Sequence, residues 1–277
     1  MSTYIKIEIK TVSVEQLEIL VAELSEINFD AFEENENCLS VFIKEKYFDE
    51  NEMNKIISPK NITYTKSIIK DTNWNAKWES EFEPIIIGNF VAVRALFHKP
   101  VKSVKHEIII TPKMSFGTGH HATTYLMLQQ MQSINFINKT VLDFGTGTGI
   151  LAILAKKLGA KKVVAIDNDE WSINNARENF VANNCIDIIL LQKDRISDPD
   201  SNQDEKFDII LANINLNVIT SSIKDLKNIS YQSSKLLLSG FLSPDKQTLI
   251  NSFISEGFKY IETTEKNEWI SMLLTKS

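Results

Sequence analysis

The 277 residues carry 30 Lys plus Arg against 36 Asp plus Glu, a formal net charge of −6, so the composition offers no broad basic face for nucleic acid. With 43% hydrophobic and 24% charged residues, the chain has enough apolar side chain for a packed core and is no candidate for disorder. Its length fits one large domain or a large one with a small companion, and its start, MSTYIKIEIK, lacks the basic opening and apolar stretch of a signal peptide, so a cytoplasmic protein without membrane contact is expected.

The charge is unevenly placed. Residues 1–60 hold 6 Lys and no Arg against 13 Asp plus Glu, whereas the remaining 217 residues hold 24 basic and 23 acidic side chains. The acidity belongs to one end, which suits either a solvated small module or a docking surface for a basic protein. Within that end, Tyr4 to Lys10 alternates Ile with polar residues as a half-buried strand does. Val14 to Leu24 spaces apolar residues three and four apart, predicting a helix. Ala31–Glu34 and Leu39–Ile43 flank the polar turn ENEN as a hairpin, Asn51–Ile57 reads as a short helix, and Ile62–Ile69 alternates again. The order β-α-β-β-α-β predicts a ferredoxin-like domain over residues 1–70.

Residues 71–110 read as a connector containing Trp74 and Trp78, four apart, available either for packing or as an aromatic wall of a substrate site. The segment MSFGTGHHATT follows, leading into the periodic run TTYLMLQQMQSI. Its glycines free the backbone, and its threonines are expected to cap the helix while offering hydroxyls and N–H groups to an anion. His120 and His121 lack a nearby third ligand, so capping or solvated roles are expected and no metal site. Cys38 and Cys185 are far apart and read as two free, buried thiols.

From Thr140 strands and helices alternate, predicting a parallel sheet covered on both faces. The strands are TVLDF, KVVAID, IDIILLQKD, FDIILAN and SSKLLLSGFL, with a closing hairpin, FKYIETTE and EWISMLL, turning at KN. DFGTGTG places Asp143, Gly145, Gly147 and Gly149 between the first strand and its helix, where open α/β sheets bind ligands and a missing Cβ allows close approach. A dinucleotide fingerprint would need glycine where Ile150 stands, which disfavours NAD. Asp167, ending the second strand, can accept both ribose hydroxyls of an adenosine. The fourth strand ends LANINLN with Asn213, Asn215 and Asn217, and the Asn213 carbonyl oxygen can accept a hydrogen bond from an amine nucleophile and aim its lone pair.

DFGTGTG with Asp167 resembles the class I S-adenosylmethionine-dependent methyltransferases, and SFGTGHHATT with LANI is similar to the bacterial ribosomal protein methyltransferases of the PrmA family. The resemblance spans nearly the whole chain. It implies an α/β fold with a Rossmann-like, seven-stranded, mostly parallel sheet and an antiparallel edge hairpin over residues 111–277, preceded by the small ferredoxin-like domain as a substrate-recognition module. It further implies S-adenosylmethionine as cofactor, with Phe116, Gly117, Thr124, Gly145, Gly147 and Asp167 contacting it and Asn213 between the methyl donor and the incoming amine. The implied acceptors are lysine side chains, with the terminal α-amine a further candidate, of large-subunit ribosomal protein L11. A monomer without nucleic-acid contact is expected. Another protein, an RNA or a small molecule as acceptor, or a non-catalytic cofactor-binding module, are the alternatives.

Overall fold

The computed structural model describes residues 3–10, 14–29, 31–35, 38–60, 62–69, 83–111, 121–196 and 205–277. The chain divides into two compact units, Met1–Phe82 and Glu83–Ser277.

In the smaller unit the chain order is β1 (Tyr4–Lys10), α1 (Val14–Glu26), β2 (Ala31–Asn35), β3 (Cys38–Lys44), α2 (Glu50–Ile57) and β4 (Tyr64–Ile69). The strands lie in the order β2-β3-β1-β4, with β1 antiparallel to both neighbours. The alternation in β1 is what builds the core. Ile5, Ile7 and Ile9 fall on one face and pack with Leu39, Val41 and Ile43 of β3, Leu20 and Leu24 of α1, and Met53 and Ile57 of α2. The α2 start is set by Asp49, whose Oδ1 accepts from the Asn51 N–H at 2.8 Å. Cys38 is half-buried and Cys185 fully buried; both are free, so the expectation of burial holds for only one.

Residues 83–110 differ from the expectation of a connector. They belong to the larger unit and supply a sheet of their own, β5 (Ile85–Ile87), β6 (Val91–Ala95) and β7 (His106–Ile110), in that order. Its β6 is buried throughout, VAVRA, which leaves no period-2 signature in the sequence. Trp74 and Trp78 lie outside the described residues.

The main sheet has seven strands: β8 (Thr140–Phe144), β9 (Lys162–Asp167), β10 (Ile189–Gln192), β11 (Phe207–Asn213), β12 (Ser230–Leu242), β13 (Phe258–Lys266) and β14 (Trp269–Lys276). Their order is β10-β9-β8-β11-β12-β14-β13, parallel from β10 to β12 and antiparallel at β14 and β13. The helices are α3 (Ala122–Met131), α4 (Ile150–Lys157), α5 (Glu170–Ala182), α6 (Leu216–Ser221), α7 (Ile223–Asn228) and α8 (Lys246–Ser255). This is the α/β architecture expected from the alternating pattern. Between β8 and β11 the strand order reverses, which opens a crevice beyond their carboxyl ends.

Two boundaries depart from expectation. The third strand is only four residues, because at the sheet edge it has one hydrogen-bonded neighbour and little burial. The closing hairpin turns at Asn267 and Glu268 rather than at KN. Both residues have positive φ, 51° and 65°, the two-residue geometry that matches the strand twist, and Lys266 pairs with Trp269. Among the described residues no helix is long and apolar enough to cross a membrane.

Candidate functional site

A cleft of about 500 Å³ lies at the crevice, lined by residues that include Gly145, Gly147, Asp167, Asn213, Ile214 and Trp269. They arrive from the ends of four strands, β8, β9, β11 and β14, so the site exists only once the sheet is assembled.

The loop after β8 is held from within. Asp143 is fully buried, and its Oδ2 accepts from the Thr146 hydroxyl at 2.6 Å and the Ala152 N–H at 3.1 Å. Its Oδ1 has no hydrogen-bond partner among the described residues. Burial, opposed by those two donors and aided by the Asp167 charge, pushes the Asp143 carboxyl up to about 7. The Gly145 and Thr146 N–H groups donate to the Ile166 carbonyl at 2.9 and 3.0 Å, fastening the loop to the end of β9. Gly145 has φ +73°, and a Cβ there would stand 2.2 Å from the Ile214 Cγ2. Gly240, in a bulge of β12, would place a Cβ 2.1 Å from the Ile214 carbonyl oxygen. Ile214 is therefore clamped between two glycines, immediately after Asn213.

Asp167 ends β9 with both oxygens engaged but not saturated. Oδ2 accepts from the Gly147 N–H at 2.8 Å, and Oδ1 from the Asp169 N–H at 3.0 Å. Each carboxylate oxygen has a second lone pair to offer the cleft.

Asn213 ends β11. Its Nδ2 donates to the Thr124 hydroxyl at 3.2 Å, which fixes the amide. That leaves Oδ1 buried and without a partner among the described residues. An unsatisfied buried carbonyl costs stability, roughly 1–3 kcal/mol, and is more often found where a ligand completes it. Thr124 sits fully buried in the first turn of α3, so it anchors Asn213 rather than capping the helix. The cap is His121, whose Nδ1 accepts from the Thr123 N–H, which corrects the expectation that the threonines play that part. The His121 ring also meets Trp269 edge-on, with centroids 4.7 Å apart.

Of the seven residues picked from the sequence, the structure places Gly145, Gly147, Asp167 and Asn213 on the cleft, whereas Thr124, expected to contact the cofactor, is fully buried and does not line the cleft but holds Asn213. Phe116 and Gly117, like His120, lie outside the described residues. Asn215 serves as the cap of α6, accepting from the Val218 N–H at 3.0 Å, and Asn217 is exposed and does not line the cleft. Sequence reading missed Ile214, Gly240 and Trp269. Gly240 had a usable signal, a lone glycine inside a strand pattern, which often marks a bulge or a close backbone approach. Trp269 had none, because its place in the cleft depends on β14 lying beside β12. Among the described residues no cluster of His, Cys, Asp and Glu could hold a metal.

The family model for ribosomal protein L11 methyltransferase (PrmA) matches residues 5–277. The chain is 38% identical over 265 residues to a ribosomal protein L11 methyltransferase of Porphyromonas gingivalis, covering 93% of this chain and 90% of that one. It is 36% identical over 264 residues to the protein of the same name from Bacteroides thetaiotaomicron, covering 93% of each. A solved structure of ribosomal protein L11 methylase from Lactobacillus delbrueckii subsp. bulgaricus superposes with a TM-score of 0.64 at 29% identity, covering 71% of this chain and all of that one. With a family match across almost its whole length, the chain belongs to the ribosomal protein L11 methyltransferase (PrmA) family.

Proposed function

We propose that the cleft binds S-adenosylmethionine and that the enzyme transfers its methyl group to lysine side-chain amines, with the terminal α-amine a further acceptor, of ribosomal protein L11. The observation that carries the reading is the Asn213 amide: its nitrogen is anchored on Thr124 and its buried oxygen has no protein partner among the described residues. An amine N–H directed at that oxygen satisfies it, and the nitrogen lone pair then points along a fixed line. The residues present suit the cofactor. Asp167 keeps lone pairs for ribose hydroxyls, Gly145 and Gly147 let the loop backbone approach, and a cleft of about 500 Å³ falls within the usual range for such ligands. Bound there, the cofactor supplies an electrophilic methyl group on a sulfonium.

The chain's own contribution is positioning and desolvation. A lysine amine in water holds its proton up to a pKa of about 10.4, so it must become neutral before attack. Phe144, Ile214, Val218 and Trp269 give the cleft apolar walls, which disfavour the ammonium form of an entering amine. The acidic small unit is proposed as the recognition module, since its 13 carboxylates against 6 lysines in residues 1–60 complement a basic protein. The same reading has the enzyme act as a cytoplasmic monomer, without direct contact to nucleic acid. Incubating the purified protein with methyl-labelled cofactor and ribosomal protein L11, then mapping label by mass spectrometry, tests it. Label on lysines is expected. Cofactor binding without any label on L11, but with label on RNA or another protein, overturns the substrate assignment.

A further inference from the structure

One face of α5 carries Asn175 and Asn179, and Asn183 follows one turn on at the helix end; all are buried, with exposures of 0%, 0% and 6%. Three buried amides in a row on a helix are expensive unless each is matched. Asn183 is matched by β7. Its Oδ1 accepts from the Ile109 N–H at 2.9 Å and its Nδ2 donates to the Ile109 carbonyl at 2.6 Å, so the side chain pairs with β7 as a neighbouring strand would.

Asn179 does something different. Its Nδ2 donates to the Thr148 carbonyl at 2.8 Å, inside the glycine loop, and to the Asn175 Oδ1 at 3.3 Å. Its Oδ1 accepts from the Thr111 N–H at 2.8 Å, one residue past the end of β7. The glycine loop is thereby held on one side by Asp167, which takes the Gly147 N–H, and on the other by Asn179, which holds the Thr148 carbonyl. The same helix also closes on the loop sterically, since a Cβ at Gly149 would stand 2.4 Å from the Phe180 ring.

We propose that Asn179 is a positioning residue for the cofactor, one amide that locks the glycine loop to the end of β7. This rests on the reading that the cleft binds S-adenosylmethionine. Asn179 does not line the cleft, so its effect passes through the Thr148 peptide and the strand. Asn183 is the control, because it ties β7 to the same helix, its Nδ2 also donating to the Asn179 backbone carbonyl at 2.8 Å, without touching the glycine loop.

The test is calorimetric binding of S-adenosylmethionine to wild type, Asn179→Ala and Asn183→Ala, each also melted thermally. Both variants are expected to lose thermal stability, but only Asn179→Ala should bind about tenfold or more weakly, as a displaced site geometry does. Equal weakening in the two variants, or none in Asn179→Ala, overturns the assignment. A wild type that binds no cofactor overturns the underlying reading and this assignment with it. Should Asn179→Ala not fold, hydrogen–deuterium exchange on the wild type decides. Cofactor addition is expected to slow exchange in residues 107–111 together with the glycine loop, and slowing confined to the glycine loop overturns the coupling.

Discussion

Both units carry exposed ion pairs, but the large unit buries far more of its polar side chains than the small one. In the small unit the charged side chains stand in water: Lys60 meets Glu23 at 2.6 Å and Lys66 meets Glu50 at 3.1 Å, all at least partly exposed. Its core is mostly aliphatic, with Phe29 the one buried ring. In the large unit buried polar groups pair with one another: Asp143 with Thr146, Asn213 with Thr124, Asn179 with Thr148 and Thr111, and Gln130 with Ser271. Exposed charges can be exchanged at small cost, whereas each buried amide or carboxyl is a fixed geometric commitment. The difference teaches where function and stability are traded. The small unit can vary its surface to suit a partner, and the large unit cannot vary the cleft side without loss.

The sharpest way to break this comparison is Asn213→Ala. Removing this cleft-lining side chain, whose buried amide oxygen has no partner among the described residues, should lower methyl transfer to L11 about 100-fold or more while thermal stability changes little. A variant with near wild-type turnover would show that the orphaned oxygen has no part in the reaction.

Gly240→Ala probes the backbone clamp on Ile214. The added Cβ meets a backbone carbonyl at 2.1 Å with φ at +102°, so unfolding should become easier by about 3 kcal/mol in a denaturant melt. Gly257, with φ +92° and nothing within 4 Å, has only the backbone term, and its alanine variant should lose about 1 kcal/mol. Equal losses at the two positions would remove the clamp.

Asp143 makes the burial difference visible as a pH effect. Its folded pKa of about 7 lies above the unfolded value near 3.9. Between those values the native state keeps a proton that the unfolded chain has released, so this group's contribution to stability is full below about pH 4 and falls as pH rises toward 7. Asp143→Asn removes that loss. Relative to wild type, the variant should gain about 1 kcal/mol for each pH unit between 5 and 7, read from melts across that range. A constant difference between the two proteins would mean the carboxyl is ionised throughout.

The smallest effect is expected at the surface of the small unit. Lys60→Ala should cost about 1 kcal/mol or less, and the cost should shrink further at high salt. Charge reversal at Glu33, Glu34 and Glu36, part of the acidic run of this end, should weaken binding to L11. Unchanged affinity would leave the acidity of this end as solvation alone.

Much of this architecture is legible in the sequence. Strict alternation in Tyr4–Lys10 and the run FDIILAN marked strands that the structure reproduces at the same residues, because a strand half or wholly buried in a sheet leaves its period or its apolar run in the sequence. The glycine loop, Asp167 and Asn213 were legible because loops at strand ends carry unusual residues for local reasons. The β5-β6-β7 sheet was not, since β6 is buried on both faces and β5 has three residues.

What the sequence determined by itself was local: element types, the ferredoxin-like order of the small unit, the ligand-type loop and the uneven charge. Only the tertiary structure decided which distant residues share the cleft. Asn213 meets Thr124 across 89 positions, Trp269 reaches the cleft through the pairing of β14 with β12, and Asn179 joins loops 31 and 68 residues away. Hydrogen bonds of that separation follow from strand order and helix packing, and neither is encoded in any one segment.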